Sequence, residues 1–179
     1  MADTHLSMRR ATVGDAEALA RGVVEGIADY PAFAPPGWTA PAFEDELVHH
    51  RADLAEAHYH CIVAELDAAI VGQITVVPAA RAPRAVDDPA LGHVRNLFVD
   101  RSQWGSGLAT RLHAAAVGAA RELGFAELRL FVAEGQARAR RFYEREGWHA
   151  AGTPFDDPIP GLRMIEYHLP VRSASPREG

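Results

Sequence analysis

The chain has 179 residues, of which 48% are hydrophobic and 23% charged, enough to bury one full core without disulfides or metals. A formal net charge of -6 and a single cysteine, Cys61, argue against a nucleic-acid footprint and exclude a disulfide framework. All 18 basic residues are arginine, which excludes a lysine Schiff base and the usual pyridoxal phosphate linkage.

No apolar run is long enough to cross a membrane. Met1 to Arg10 lacks the apolar core of a signal peptide, so a cytoplasmic location is expected. Met8 to Ala11 reads as a short strand. Thr12 and Asp15 have the spacing of a capping box, and Leu19, Val23 and Ile27 behind them predict an amphipathic helix to about Ala28. Tyr30 to Pro41 is a loop with four prolines and the aromatics Tyr30, Phe33 and Trp38. Thr39 precedes a second helix with Phe43, Leu47, Val48 and Leu54 on one side. His60–Glu65 and Ala69–Val77 predict an antiparallel hairpin turning at Leu66 to Ala68. Pro78 to Gly92 is a loop, and Val94–Val99 a third strong strand. Leu108, Leu112, Ala116, Ala119 and Leu123 predict a helix from Gly107, stopped by Gly124. Leu128–Ala133 is a strand, Gln136–Glu146 a helix closed by Gly147, and Trp148–Thr153 and Met164–Leu169 complete the set. The result is one domain over residues 1–171 and a loose tail over 172–179. The order βααβββαβαββ predicts an α/β (α+β) fold, with helices on both faces of a mixed sheet of about seven strands.

The chemistry concentrates between Val94 and Trp148. Trp104-Gly105-Ser106-Gly107-Leu108-Ala109 lies between a strand and a helix. Glycines there let the unpaired N–H groups of the helix start close on an anion, and a pyrophosphate is the natural guest. By itself such a pair of glycines equally fits a plain turn. The following segment, Leu128 to Trp148, adds a strand and then a helix rich in arginine. Phe142, Tyr143 and Gly147 are the landmarks of that helix, the last two in the spacing Tyr-x-x-x-Gly.

Together these blocks resemble motifs A and B of the GNAT superfamily of Gcn5-related N-acetyltransferases, over residues 94–148. Arg9-Arg10-Ala11-Thr12 and Asp15-Ala16 are similar to that family's first strand and helix. Two positions depart from its pattern: Trp104 stands where Gln or Arg is usual, with Gln103 one residue early, and Gln136 where Asn is common. The resemblance implies a sheet splayed in its middle, between the strands at 94–99 and 128–133. Acetyl-CoA would lie there as co-substrate, bonded to the backbone of Leu97, Phe98 and Val99. The loop Gln103 to Ala109 (Gln103, Trp104, Gly105, Ser106, Gly107, Leu108, Ala109) would hold its pyrophosphate, with Thr110 adding a hydroxyl and Gln136, Ala139 and Phe142 flanking the cofactor. The acceptor would be a small-molecule primary amine attacking the thioester directly.

Such an attack needs a proton donor for the departing thiolate and an acceptor for the amine's proton. The resemblance gives the donor's place to Tyr143, whose ring also fits an apolar stripe with Ala139 and Phe142. The strand His93-Val94-Arg95-Asn96 offers no carboxylate. His93 is the local base candidate, although it reads more simply as a polar residue at a loop end, and Asn96 could position water or acceptor. Glu134 is a further option, and solvent can also take the proton. His49, His50, His58 and His60 match no metal pattern, so no metal is expected. Cys61 reads as a buried thiol. Arg138, Arg141 and Arg145 share a helix face, solvated or facing a cofactor phosphate. Two other activities stay open within the fold, a non-catalytic acetyl-CoA sensor and acetylation of a protein N-terminus. A dinucleotide oxidoreductase fits poorly, because Asp100 to Trp104 separate the glycines from their strand. Monomer and homodimer are both compatible.

Overall fold

The computed structural model describes residues 6–158 and 161–171. Seven strands form one sheet: β1 (Leu6–Arg10), β2 (His60–Leu66), β3 (Ala69–Pro78), β4 (Leu91–Val99), β5 (Glu127–Ala133), β6 (His149–Asp157) and β7 (Leu162–Pro170). Their spatial order is β1-β2-β3-β4-β5-β7-β6. Four helices, α1 (Ala16–Gly26), α2 (Phe43–Leu54), α3 (Leu108–Glu122) and α4 (Ala137–Arg145), complete the predicted order of elements. The expected tail at 172–179 lies outside the described residues.

Local chemistry sets the element ends. The Thr12 N–H donates to the Asp15 carboxylate at 2.7 Å, which starts a short 3-10 turn leading into α1. The Arg9 guanidinium grips the same carboxylate at 2.8 Å and holds its pKa down at about 2. Ala16, Leu19, Ala20 and Val23 of α1 are buried, as their spacing predicts. The β2–β3 turn places Asp67 and Ala68 at positive φ (49° and 66°), the backbone of a two-residue hairpin.

Three expectations need correction. Helix α2 starts at Phe43 and not directly after Thr39, since Pro41 biases the residue before it away from helical backbone. Its Val48 is 64% exposed; α2 lies mainly on α1, and the residue it buries is His50. Strand β6 runs on to Asp157, sustained by pairing with β7 that resumes at Phe155↔Met164 after an irregularity.

The sheet has a different set of helices on each face. Helices α3 and α4 cover one, where Leu108, Leu112 and Ala116 meet Ile74, Val94, Leu128 and Tyr143. On the other, Leu19 of α1 meets Tyr59, Cys61, Val63 and Val77.

Strands β4 and β5 form the parallel junction, and they touch only at their starts: Leu91↔Glu127, Gly92↔Leu128 and His93↔Arg129. Gly92 permits this closeness, because a Cβ there would sit 2.6 Å from Leu128 and 2.8 Å from Phe125. Beyond His93 the strands part. β4 carries a bulge against β3, between Thr75↔Arg95 and Gln73↔Phe98. Asn96 takes the left-handed conformation within it (φ 57°), which Asn tolerates better than most residues. The bulge bends β4 while β5 stays paired with β7 along its whole length. The seam opens for this reason.

Candidate active site

At the open end of the seam, Gly105 and Gly107 both adopt φ 82°, a region that costs other residues about 1–2 kcal/mol. Gly107 caps α3. The loop braces itself: Ser106 Oγ donates to the Gln103 carbonyl at 2.7 Å and accepts from the Leu108 N–H at 3.3 Å. This leaves the first-turn N–H groups of a 15-residue helix turned to an exposed loop, a fitting cradle for a phosphate. Leu108 itself is a buried core residue whose N–H is already taken by Ser106, so the N–H groups on either side of it are the ones left for a ligand.

Trp104 is 44% exposed. Its Nε1–H donates to the Val99 carbonyl at 3.0 Å, and the Arg138 guanidinium lies 3.5 Å over its ring. Leu97 and Val99 pack toward the α3 side; Phe98 covers Gly26 of α1 on the opposite face. The Thr110 hydroxyl donates to Glu146 at 3.0 Å. It is therefore already engaged, which weakens its expected role on pyrophosphate. Gln136 caps α4, while Ala139 and Phe142 pack against the core.

Tyr143 is buried on α4, with ring centroids 5.2 Å from Phe142 and 5.7 Å from Trp148. Burial, and secondarily the neighbouring Tyr30 phenol, push its pKa well above the ordinary phenol value. The aromatic loop reaches the connection just before α4 through Phe33. Tyr30 stacks with Phe33 at 4.9 Å and Trp38 at 6.1 Å, and Phe33 in turn covers Gly135, where a Cβ would sit 2.5 Å away.

The base candidates fare differently. His93 is 3% exposed, within β4 and edge-on to Phe131 at 4.9 Å. Burial, reinforced by the charges of Arg129 and Arg95, lowers its pKa to about 3. Such an imidazole is a poor acceptor for an ammonium proton. It is neither at a loop end nor suited to be a base. Asn96 serves the bulge. Glu134, the further option, is paired to Arg163 at 3.4 Å. Cys61 is buried, with its pKa raised by burial to about 11, and reads as an inert core thiol. No cluster able to hold a metal occurs among the described residues.

Other groups beside the seam were not legible as functional. Arg95 pairs with Asp53 of α2, and its guanidinium lies 5.1 Å from the Tyr59 ring. Half-buried Glu46 of α2 has its pKa raised by desolvation, against the opposing charges of His49 and Arg95. Arg129, 2% exposed, donates to the carbonyls of Ala79, Pro83 and Arg84 and so ties down the loop after β3. The available signal for Arg129 was an arginine inside the apolar strand Leu128-Arg129-Leu130. A cavity of about 760 Å³ at the end of β5 joins Phe33 to Glu134, Gly135, Asp156, Asp157 and Arg163.

Comparison with known proteins agrees with this architecture. The model of the Acetyltransferase (GNAT) family matches residues 25–148. The chain matches no curated protein. Among solved structures, a GNAT-family protein from Desulfovibrio desulfuricans is similar at 24% identity and TM-score 0.70, covering 94% of this chain and 100% of that one. YncA from Salmonella typhimurium, solved with its cofactor acetyl-CoA, shares 16% identity over 98% of this chain and 100% of its own, with TM-score 0.69. The PaiA N-acetyltransferase from Thermoplasma acidophilum, solved with coenzyme A, shares 14% identity over 90% and 98%, with TM-score 0.68. At such identities the structures speak for the fold alone. The family model covers well over half of the chain, and the chain belongs to the GNAT acetyltransferase family.

Proposed function

We propose that this protein transfers an acetyl group from acetyl-CoA to the primary amine of a small acceptor, by direct attack within a ternary complex. The observation that carries this reading is the open seam between β4 and β5, which leads to the glycine loop capping α3. The seam offers strand backbone to a pantetheine amide, and the loop offers N–H groups to a pyrophosphate. Acetyl-CoA, when bound, supplies an activated thioester. Leu97, Phe98 and Val99 would hold it through their backbone, and the loop Trp104 to Ala109 through the N–H groups of Gly105, Gly107 and Ala109, since those of Trp104, Ser106 and Leu108 are engaged within the loop.

Tyr143 holds the proton that the departing thiolate takes. Its pKa, raised by burial above the ordinary phenol value, keeps that proton in place at neutral pH. With His93 unsuited, the acceptor's own proton leaves to solvent. In the cavity bordered by Phe33 of the aromatic loop, the carboxylates of Glu134, Asp156 and Asp157 outnumber the one arginine, Arg163, which pairs with the first two, and this surplus supports a cationic acceptor entering on that side. The test is calorimetric titration with acetyl-CoA, with NAD as control, followed by thiol-release assays over a panel of amines. Micromolar binding of acetyl-CoA alone, and turnover with amines, is the expected result. Absence of acetyl-CoA binding refutes the reading.

A further inference from the structure

Trp104 stands at the mouth of the seam, just before the glycine loop; Arg138 stands directly across it, in the first turn of α4. The guanidinium carbon lies 3.5 Å above the indole ring. At that distance a planar guanidinium fits only when roughly parallel to the ring, which leaves its in-plane N–H groups directed past the ring and not into it. Three neighbouring arginines are paired, Arg101 with Asp29 at 2.9 Å, Arg145 with Glu146 at 3.6 Å, and Arg140 with the Glu134 carbonyl at 3.1 Å; Arg141, like Arg138, has no acceptor among the described residues, but only Arg138 is held against the indole beside the glycine loop. Arg138 has no hydrogen-bond acceptor and no counter-ion among the described residues. It is a cation fixed in place with its donors unused, in a chain whose net charge of -6 otherwise repels anions.

We infer that Arg138, held against Trp104, takes a phosphate of the nucleotide end of CoA, so that this pair selects CoA over shorter acyl-thiol carriers. The inference rests on the acetyl-CoA reading. Stacking removes much of the rotamer freedom that a free arginine would lose on binding, and a planar fork matches a phosphate with two parallel N–H···O bonds. The residue that replaces the family's usual Gln or Arg thus acts indirectly: Trp104 positions the cation that makes the contact. Arg101, 5.2 Å from the same ring, adds positive potential from its side of the loop.

The test is titration calorimetry with CoA and with dephospho-CoA, which lacks the 3′-phosphate. The proteins are wild type, Arg138→Met, Arg138→Lys and Trp104→Leu, each checked by thermal melting. Arg138→Met is expected to weaken CoA at least about tenfold, the scale of charged hydrogen bonds. Arg138→Lys regains only part of this, because a point charge lacks the fork. Trp104→Leu loses about two- to fivefold, as Arg138 becomes unheld. An equal Arg138→Met loss for both ligands assigns the pyrophosphate, and a loss confined to CoA assigns the 3′-phosphate; either supports the inference. Arg138→Met binding CoA within twofold of wild type overturns it while leaving the acetyl-CoA reading standing. A wild-type protein that binds no CoA overturns both.

Discussion

Tyr143→Phe separates chemistry from packing. The ring meets Phe142 and Trp148 edge-on and belongs to the core beneath α4. Phenylalanine preserves those contacts. The Tyr143 hydroxyl has no hydrogen-bond partner among the described residues, so its removal strands no other group. Stability should stay within about 0.5 kcal/mol of wild type. Removing the ring as well, in Tyr143→Ala, should cost about 3–5 kcal/mol. A positioned general acid contributes about 10²- to 10⁴-fold, or about 2.7–5.4 kcal/mol of transition-state stabilisation. Tyr143→Phe should therefore lower kcat at least about 100-fold with unchanged acetyl-CoA affinity and melting temperature. A general acid works only while protonated, so its activity falls as pH rises through its pKa. Burial raises that pKa above the ordinary phenol value, and wild-type kcat should show no alkaline fall from this group up to about pH 10. The assays are thiol release, calorimetry and chemical denaturation. A Tyr143→Phe enzyme that keeps kcat within about threefold, with binding and stability intact, refutes the acid role and leaves the ring as packing.

His93→Gln should retain most activity, and the kcat/KM profile of wild type should lack an inflection near pH 6.5, because the His93 pKa is lowered to about 3; an inflection there that vanishes in the variant would restore His93 as base. Asn96→Val should lower stability by more than about 1 kcal/mol in urea denaturation, while Asn96→Gly is tolerated, because the bulge holds this residue at φ 57°. Burial opposes a charge on His168, but its hydrogen bonds to Glu166 (2.8 Å) and Glu127 (2.9 Å) outweigh that and raise its pKa. A raised pKa contributes stability that is complete below about pH 6.5 and lost as pH rises through the folded value. Denaturation midpoints at pH 6 and pH 8.5 should differ less in His168→Gln than in wild type, and an unchanged difference would dismiss the contribution.

The strands of the central sheet were legible because most are buried on both faces and read as Ile/Val-rich runs. The helices showed through their four-residue spacing, and the glycines through their position at helix ends. Less visible was whatever depends on a distant partner. Val48 has the right spacing for a core position, yet α2 rests on α1 and leaves it in solvent. Arg95 and Arg129 look like interruptions in apolar strands; their partners, Asp53 and the carbonyls of the 79–84 loop, come from segments 42 to 50 residues away. His93 titrates near neutrality as a free side chain, and only three-dimensional burial reveals that it does not here. The loop glycines could be placed from sequence, but the indole that bridges the seam to α4 could not, since no local pattern pairs residue 104 with residue 138.

The bulge at Asn96 also acts as a phase shift. Along a regular strand, residues an odd number apart face opposite ways. Arg95 and Phe98 are three apart, yet both face the α1–α2 side, one toward Asp53 and the other against Gly26. Val94, Leu97 and Val99 all turn to the α3 side. One surplus residue thus lets a single strand present a charged stretch and then an aromatic one to the same side, without breaking the apolar row beneath α3. Deleting Asn96 would not merely shorten β4. It would leave Leu97, Phe98 and Val99 on their present sides, because Leu97 would then follow Arg95 in ordinary alternation, and it would take away the bend that parts β4 from β5.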